Sequence, residues 1–237
     1  MIQERLVEYE HAGATLEGFL ACDDTEDGAR PAVMVVHAWA GRSEFECDKA
    51  RALAELGYVG FAADLYGKGV LGNSVEENAG LMQPFLDDRA LLQSRSTTAL
   101  ETLKSLPEVD NDRIAAIGFC FGGLCVLDLA RIGTDIKGVA SFHGLFGAPG
   151  NTAGTKIKAK VLALHGHDDP MVPVDAVVAL EKELTEAGAD WQIHVYGNTL
   201  HAFTNPAAND PVLGAIYNKN ADKRSWQTLL NFLDELF

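Results

Sequence analysis

Short apolar runs separated by amphipathic stretches follow one another along most of the chain. Two alternating runs come first, residues 6–9 and 16–21, with His11, Ala12 and Gly13 between them as a turn; they predict an antiparallel hairpin at a sheet edge. After the acidic stretch 23–30, residues 32–36 form a continuous apolar run, the pattern of a strand covered on both faces. Ser43 with Glu46 fits a capping box, and Phe45, Ala50, Leu53 and Leu56 recur at helical spacing until Gly57 stops the helix. Residues 59–63 predict the next strand. The alternation then repeats: a helix through Leu92, Ala99, Leu103 and Leu106, a strand over 114–117, a helix over 123–130, and strands over 139–142 and 160–165. A helix carrying Val177, Leu180 and Leu184, a strand over 191–196 and a terminal helix with Trp226, Leu229, Leu230 and Leu233 complete it. Strands alternating with helices at these lengths predict an α/β fold, with a mostly parallel central sheet, helices on both faces and an antiparallel N-terminal edge.

One segment breaks the rhythm. Residues 66–88 carry Gly67, Gly69, Gly72, Gly80 and Pro84 around a short helix that Ser74 and Glu77 could cap. The segment follows the carboxyl end of a predicted strand, where open α/β sheets bind ligands, so it reads either as a lid or as an ordinary long crossover.

Length and charge narrow the picture. A chain of 237 residues fits one α/β domain around a single core. No apolar run is long enough to span a membrane and no basic leader precedes an apolar stretch, so the expectation is a protein that is neither membrane-bound nor exported. With 34 acidic against 19 basic residues the formal charge is −15, which repels nucleic acid and anionic lipid surfaces. The four cysteines, Cys22, Cys47, Cys120 and Cys125, form no C-x-x-C pair, and reduced thiols in a cytoplasmic compartment are expected. Cys47 and Cys125 fall on apolar helix positions, where a thiol behaves as a small hydrophobe.

Cys120 differs from the other three. Gly118, Phe119, Cys120, Phe121 and Gly122 form G-x-C-x-G between a predicted strand and a predicted helix, the nucleophile-elbow pattern with cysteine in place of serine. Such a turn holds the nucleophile in a strained backbone and leaves no room for a neighbouring Cβ. A nucleophile there needs a base, and the base needs an orienting group, in the chain order nucleophile, acid, histidine. The strand over 160–165 runs into Gly166, His167, Asp168 and Asp169, and the strand over 191–196 runs into a loop containing His201. The backbone N–H of Phe121, just after the nucleophile, would stabilise a tetrahedral oxyanion, with a second donor from the loop after Val36.

These residues resemble the dienelactone hydrolase family, a branch of the α/β-hydrolase fold. The resemblance is carried by G-x-C-x-G-G at 118–123, Asp64-Leu65-Tyr66-Gly67 after a strand, G-x-x-D-x-x-V-P at 166–173 and H-x-F at 201–203. It implies hydrolysis of a carboxylic ester or lactone through a Cys120-His201-Asp169 triad, with Asp169 rather than Asp168 as the acid and with no cofactor or metal. It implies Trp39 as the second oxyanion donor, with Ala38 a neighbouring alternative. His37, Ala38, Tyr66, Phe203 and Asn205 become candidate substrate contacts, and the loops around Trp39, Phe121, His143 and Phe203 would shape the pocket. The sequence departs from the family pattern in two places. Ala38 stands where the family's glutamate would control the thiol, and the arginines that hold a substrate carboxylate are absent, with Lys68 in the lid region and Asn205 four residues after His201. A bidentate carboxylate clamp cannot be built from these groups. Arg42 and Lys68 read as solvated surface charges, with an anion contact as the alternative.

Two other readings compete. His165, His167, Asp168 and Asp169 resemble part of a metallohydrolase motif, but Pro170 sits where its last histidine belongs. A non-catalytic homologue that only binds a small ligand is the other. His194 and His143, each associated with an apolar strand, read as structural.

Overall fold

The computed structural model describes residues 1–25 and 28–237; Glu26 and Asp27, within the acidic stretch 23–30, lie outside the described residues. Two compact units make up the chain, Met1–Ile117 and Gly118–Phe237.

In the first unit, β1 (Ile2–His11) and β2 (Ala14–Asp23) pair antiparallel in unbroken register, from Ile2 opposite Asp23 to His11 opposite Ala14. The turn is Ala12 and Gly13 alone, at φ 50° and 79°, the two-residue geometry that matches strand twist. His11, expected in the turn, is instead the last residue of β1, its ring bonded to Ser94 Oγ and accepting Arg95 Nε, both at 2.8 Å. β2 also pairs antiparallel with β4 (Val59–Ala63), and β4 pairs parallel with β3 (Arg30–Val36), Ala32 opposite Val59. β4 is buried throughout and β3 at every residue but Pro31, as the continuous apolar runs predict. α1 (Glu44–Ala54) opens on the full capping box, Ser43 Oγ accepting the Phe45 N–H and Glu46 reaching back to the Ser43 N–H at 2.9 Å. α2 (Val75–Asp87) lies within the proposed lid and is capped by Ser74, whose Oγ accepts the Glu77 N–H. α3 (Arg89–Lys104) ends short of Leu106. β5 (Val109–Phe119) begins well before the apolar run at 114, through the polar residues Asp110 to Arg113, and crosses the division between the units.

Asp64 ties down the end of β4. Its carboxylate accepts backbone N–H groups from Tyr66 (2.9 Å), Gly67 (3.0 Å) and Glu17 (3.1 Å), which explains an acid at the head of the Asp-Leu-Tyr-Gly stretch.

In the second unit, α4 (Phe121–Arg131) is buried at every position, consistent with an apolar sequence on all sides. β6 (Gly138–Phe142), β7 (Lys160–Gly166) and β8 (Trp191–Tyr196) pair in parallel, Gly138 opposite Lys160 and Val161 opposite Trp191. α5 (Val174–Glu186) and α6 (Lys219–Leu236) supply the other helical faces; α6 buries Leu229, Phe232 and Leu233, with Trp226 and Leu230 half-buried. Between β8 and α6 the chain forms two further strands of two residues each, β9 (Asn209–Asp210) and β10 (Ala215–Ile216), which no apolar pattern announces. A buried guanidinium locks α4 to α5: Arg131 binds both oxygens of Glu183 at 2.8 Å, Asp128 at 3.2 Å and the carbonyls of Phe146 and Gly147. No helix among the described residues is long and apolar enough to cross a membrane.

Candidate active site

β5 ends at Phe119 and α4 begins at Phe121, so Cys120 alone makes the turn, at φ 53° and ψ −113°. A non-glycine residue held there costs on the order of 1–3 kcal/mol, and such strain persists only where surrounding bonds dictate it. Those bonds are present. The Cys120 N–H donates to the Phe142 carbonyl at the end of β6 (3.0 Å), and the Cys120 carbonyl accepts from Gly123 (3.0 Å) and Leu124 (3.3 Å). Gly118 is required because a Cβ on it would lie 2.0 Å from the Gly122 carbonyl oxygen. Cys120 is partly exposed, whereas Cys22, Cys47 and Cys125 are buried, and burial pushes the Cys22 and Cys47 thiols up.

The acid and the histidine occupy adjacent strand ends in the same unit. β7 runs out through Gly166, where a Cβ would meet the Thr199 carbonyl oxygen at 2.5 Å; only glycine lets the loop after β7 approach the loop after β8 this closely. The His167 N–H donates to the Tyr196 carbonyl (2.9 Å) and the Asp168 N–H to the Thr199 carbonyl (3.0 Å), joining the two loops. Asp168 and His167 point to solvent, and Asp169 turns inward. Asp169 Oδ2 bonds His201 Nδ1 at 2.7 Å, while its Oδ1 accepts the Met171 N–H at 2.8 Å. His201 is held as well by its backbone, whose N–H donates to Gly214 and whose carbonyl accepts Ile216 at 3.0 Å, so the short β10 segment serves to fix the histidine.

The environment of His201 raises its pKa to about 10. Burial acts in the opposite direction, toward the neutral ring, but negative charge at Cys120, the Asp169 hydrogen bond and the weaker contact with the Cys120 sulfur outweigh it. Among the described residues Nε2 meets no hydrogen-bond partner of ordinary geometry, and charge is the larger of the two influences that the Cys120 sulfur exerts on the ring. His143, at φ 38° directly after β6, packs its ring against His201 and Phe203, each with centroids 5.1 Å apart. Its sequence setting suggests only a structural histidine; the contact joins residues 58 and 60 positions away and has no sequence signature.

The remaining candidates have other partners. His37 is fully buried, with Nδ1 on the Ala38 carbonyl (2.7 Å) and Nε2 accepting the Leu65 N–H (3.1 Å), which leaves neither nitrogen for a substrate. Burial lowers its pKa. The Ala38 N–H donates to Glu46 Oε1 at 3.2 Å, and Trp39, half-buried, accepts the Tyr66 hydroxyl on its carbonyl at 3.1 Å. Arg42 is not the solvated charge expected, being mostly enclosed and bound to the Glu17 carbonyl and carboxylate, whereas Lys68 is an exposed surface charge that pairs with Glu8 and Glu17. Phe203 is completely buried, and the Asn205 side-chain oxygen accepts the Ala207 N–H at 2.9 Å in a local turn. Among the described residues no three His, Cys, Asp or Glu side chains converge as a metal site; His167 and Asp168 are exposed while His165 is buried.

Residues 16–237 match the model of the dienelactone hydrolase family. Among solved structures, m3DLH is 38% identical with a TM-score of 0.93, covering 100% of this chain and 99% of its own. A dienelactone hydrolase-like promiscuous phosphotriesterase from metagenomic libraries is 36% identical with a TM-score of 0.94 and the same coverage. A protein of Aquifex aeolicus provisionally named carboxymethylenebutenolidase is 28% identical, covering 96% of both chains. The fold is accordingly the mixed α/β fold of these hydrolases.

Proposed function

From the premise that this chain belongs to the dienelactone hydrolase family, and is with it a hydrolase of esters or lactones, we propose that Cys120 is the nucleophile, His201 its proton partner and Asp169 the orienting acid. The observation that carries this reading is the pairing of a strained, partly exposed cysteine with a buried, carboxylate-bound histidine whose affinity for a proton is raised by charge on that cysteine.

In the reacting state of this mechanism the proton is on His201 and the sulfur attacks as thiolate. The sulfur attacks the carbonyl carbon to form the C–S bond, and the Phe121 N–H at the start of α4 stabilises the oxyanion. The ester C–O bond then breaks, and His201 gives its Nε2 proton to the departing alkoxide. In the thioester the sulfur carries no charge, so the main influence that kept His201 protonated is gone. Neutral His201 can then take a proton from water, whose oxygen attacks the thioester carbonyl. The C–S bond breaks, the acid leaves, and thiolate and imidazolium are restored. Acylation thus converts the same ring from proton donor to base, while Asp169 fixes its tautomer throughout.

The substrate in this reading is neutral. Lys68 is ion-paired and the Asn205 oxygen is engaged in its own turn, so neither offers what a carboxylate needs. Turnover of a panel of short-chain esters, thioesters and lactones by wild type and Cys120→Ala tests the proposal. Hydrolysis is expected from wild type only, with neutral substrates preferred over carboxylate-bearing analogues; equal rates in the variant would overturn it.

A further inference from the structure

His143 sits at a junction that an ordinary core histidine has no need of. The peptide bond that leads into it is tied at both its polar groups: the Phe142 carbonyl accepts the N–H of Cys120 at 3.0 Å, and the His143 N–H donates to Leu164 on β7 at 2.8 Å. Directly after this fixed peptide it adopts φ 38°, a conformation that L residues avoid unless the surroundings impose it. The ring that this backbone aims inward is 2% exposed and lies in T-shaped contact with His201 and with Phe203, and 6.0 Å from Phe119, the residue before the nucleophile. Its Nε2 is hydrogen-bonded to Thr204 Oγ1 at 2.8 Å, three residues beyond His201. One ring therefore touches both the nucleophile segment and the histidine segment.

Asp169 fixes only one end of the His201 ring. A single hydrogen bond at Nδ1 leaves the ring free to swing about it, and the distance over which a proton is handed to sulfur depends on that plane. A flat ring packed against the imidazole at 66° removes this freedom. It must be aromatic, to present a flat surface. Thr204 holds it in place.

We propose that His143 is a positioning residue whose flat ring, packed against the imidazole, sets the plane of His201 for proton exchange with Cys120. The inference rests on the reading of His201 as the proton partner. Two substitutions separate ring from hydrogen bond: His143→Phe keeps the flat surface, and His143→Gln keeps a polar group able to reach Thr204. Steady-state kinetics on a neutral ester should give His143→Phe a kcat within about threefold of wild type. His143→Gln should lose about ten- to a hundredfold in kcat with KM within about twofold, since a misoriented group slows chemistry more than binding. A substrate-free readout accompanies the kinetics: the downfield NMR signal of the His201 Nδ1–H, bonded to Asp169, should stay sharp in wild type and His143→Phe and broaden or vanish in His143→Gln. A sharp signal with undiminished kcat in His143→Gln, or a His143→Phe as impaired as His143→Gln, overturns the inference. If wild type turns over no ester while the NMR pattern holds, the functional reading fails and the positioning role stands.

Discussion

His37 and His201 are both buried histidines that follow a strand, one in each unit, and they have opposite proton chemistry. His37 spends both nitrogens on backbone, donating to the Ala38 carbonyl and accepting from the Leu65 N–H. The accepted N–H fixes it as a neutral ring, and burial lowers its pKa further. His201 meets a carboxylate at Nδ1 and has the Cys120 sulfur as its other ionisable neighbour, and these surroundings raise its pKa to about 10 although it too is buried. Burial alone therefore says little about what a histidine does. Its role follows from whether its partners are backbone dipoles, which select one neutral tautomer, or ionisable groups, which trade charge with it.

The sharpest way to break this comparison is to remove each ring in turn. His201→Asn should reduce kcat/KM by about a thousandfold or more, the scale of losing a triad histidine, while His37→Asn should leave it within about tenfold. Comparable losses at both positions would erase the distinction. Next in size is the choice of acid. Asp169→Asn should lower kcat by roughly 10²- to 10⁴-fold, because the amide favours the wrong tautomer of His201, and Asp168→Asn, in solvent, should stay within about twofold. The reverse ranking would show that the exposed carboxylate is the one that matters.

Titration sharpens the contrast without substrate. The strongest influence holding the proton on His201 is charge at Cys120, so NMR titration of Cys120→Ala should show His201 releasing its proton well below pH 10, while His37 stays neutral at pH 7 in both proteins. In wild type, acylation should weaken as pH rises through about 10, because the imidazolium that protonates the leaving alkoxide is lost. An unchanged His201 titration in Cys120→Ala would mean the sulfur exerts no such influence. The smallest effect is on stability: His37→Phe strands the buried Leu65 N–H and should cost about 1–3 kcal/mol in denaturant unfolding.

What the sequence reveals of this molecule is what periodicity and short motifs can carry. Apolar runs mark β3, β4, β6 and β8 closely because each is enclosed or alternates, and the capping box places the start of α1. β1 reaches back to Ile2 and β5 to Val109 through exposed or polar residues, where backbone pairing rather than burial defines the strand. β9 and β10 are two residues long and leave no pattern at all. At the site, chain order and motif spacing nominate Cys120, His201 and an acid in the loop after β7, and the resemblance to the family selects Asp169 over Asp168. Spacing says nothing about which side chains already have partners, and so Arg42 reads as solvated although it is mostly enclosed against Glu17. Nor could it show that Glu46 reaches the loop after β3, or that His143 meets His201 across 58 positions of chain.

Mass spectrometry of the intact protein, quenched during turnover of a slow neutral ester, tests the central claim most directly. The account predicts a single acyl adduct that maps to Cys120, forms rapidly in wild type, accumulates in Asp169→Asn and is absent from Cys120→Ala. An adduct on any other residue, or continued turnover by Cys120→Ala with no adduct, would contradict it.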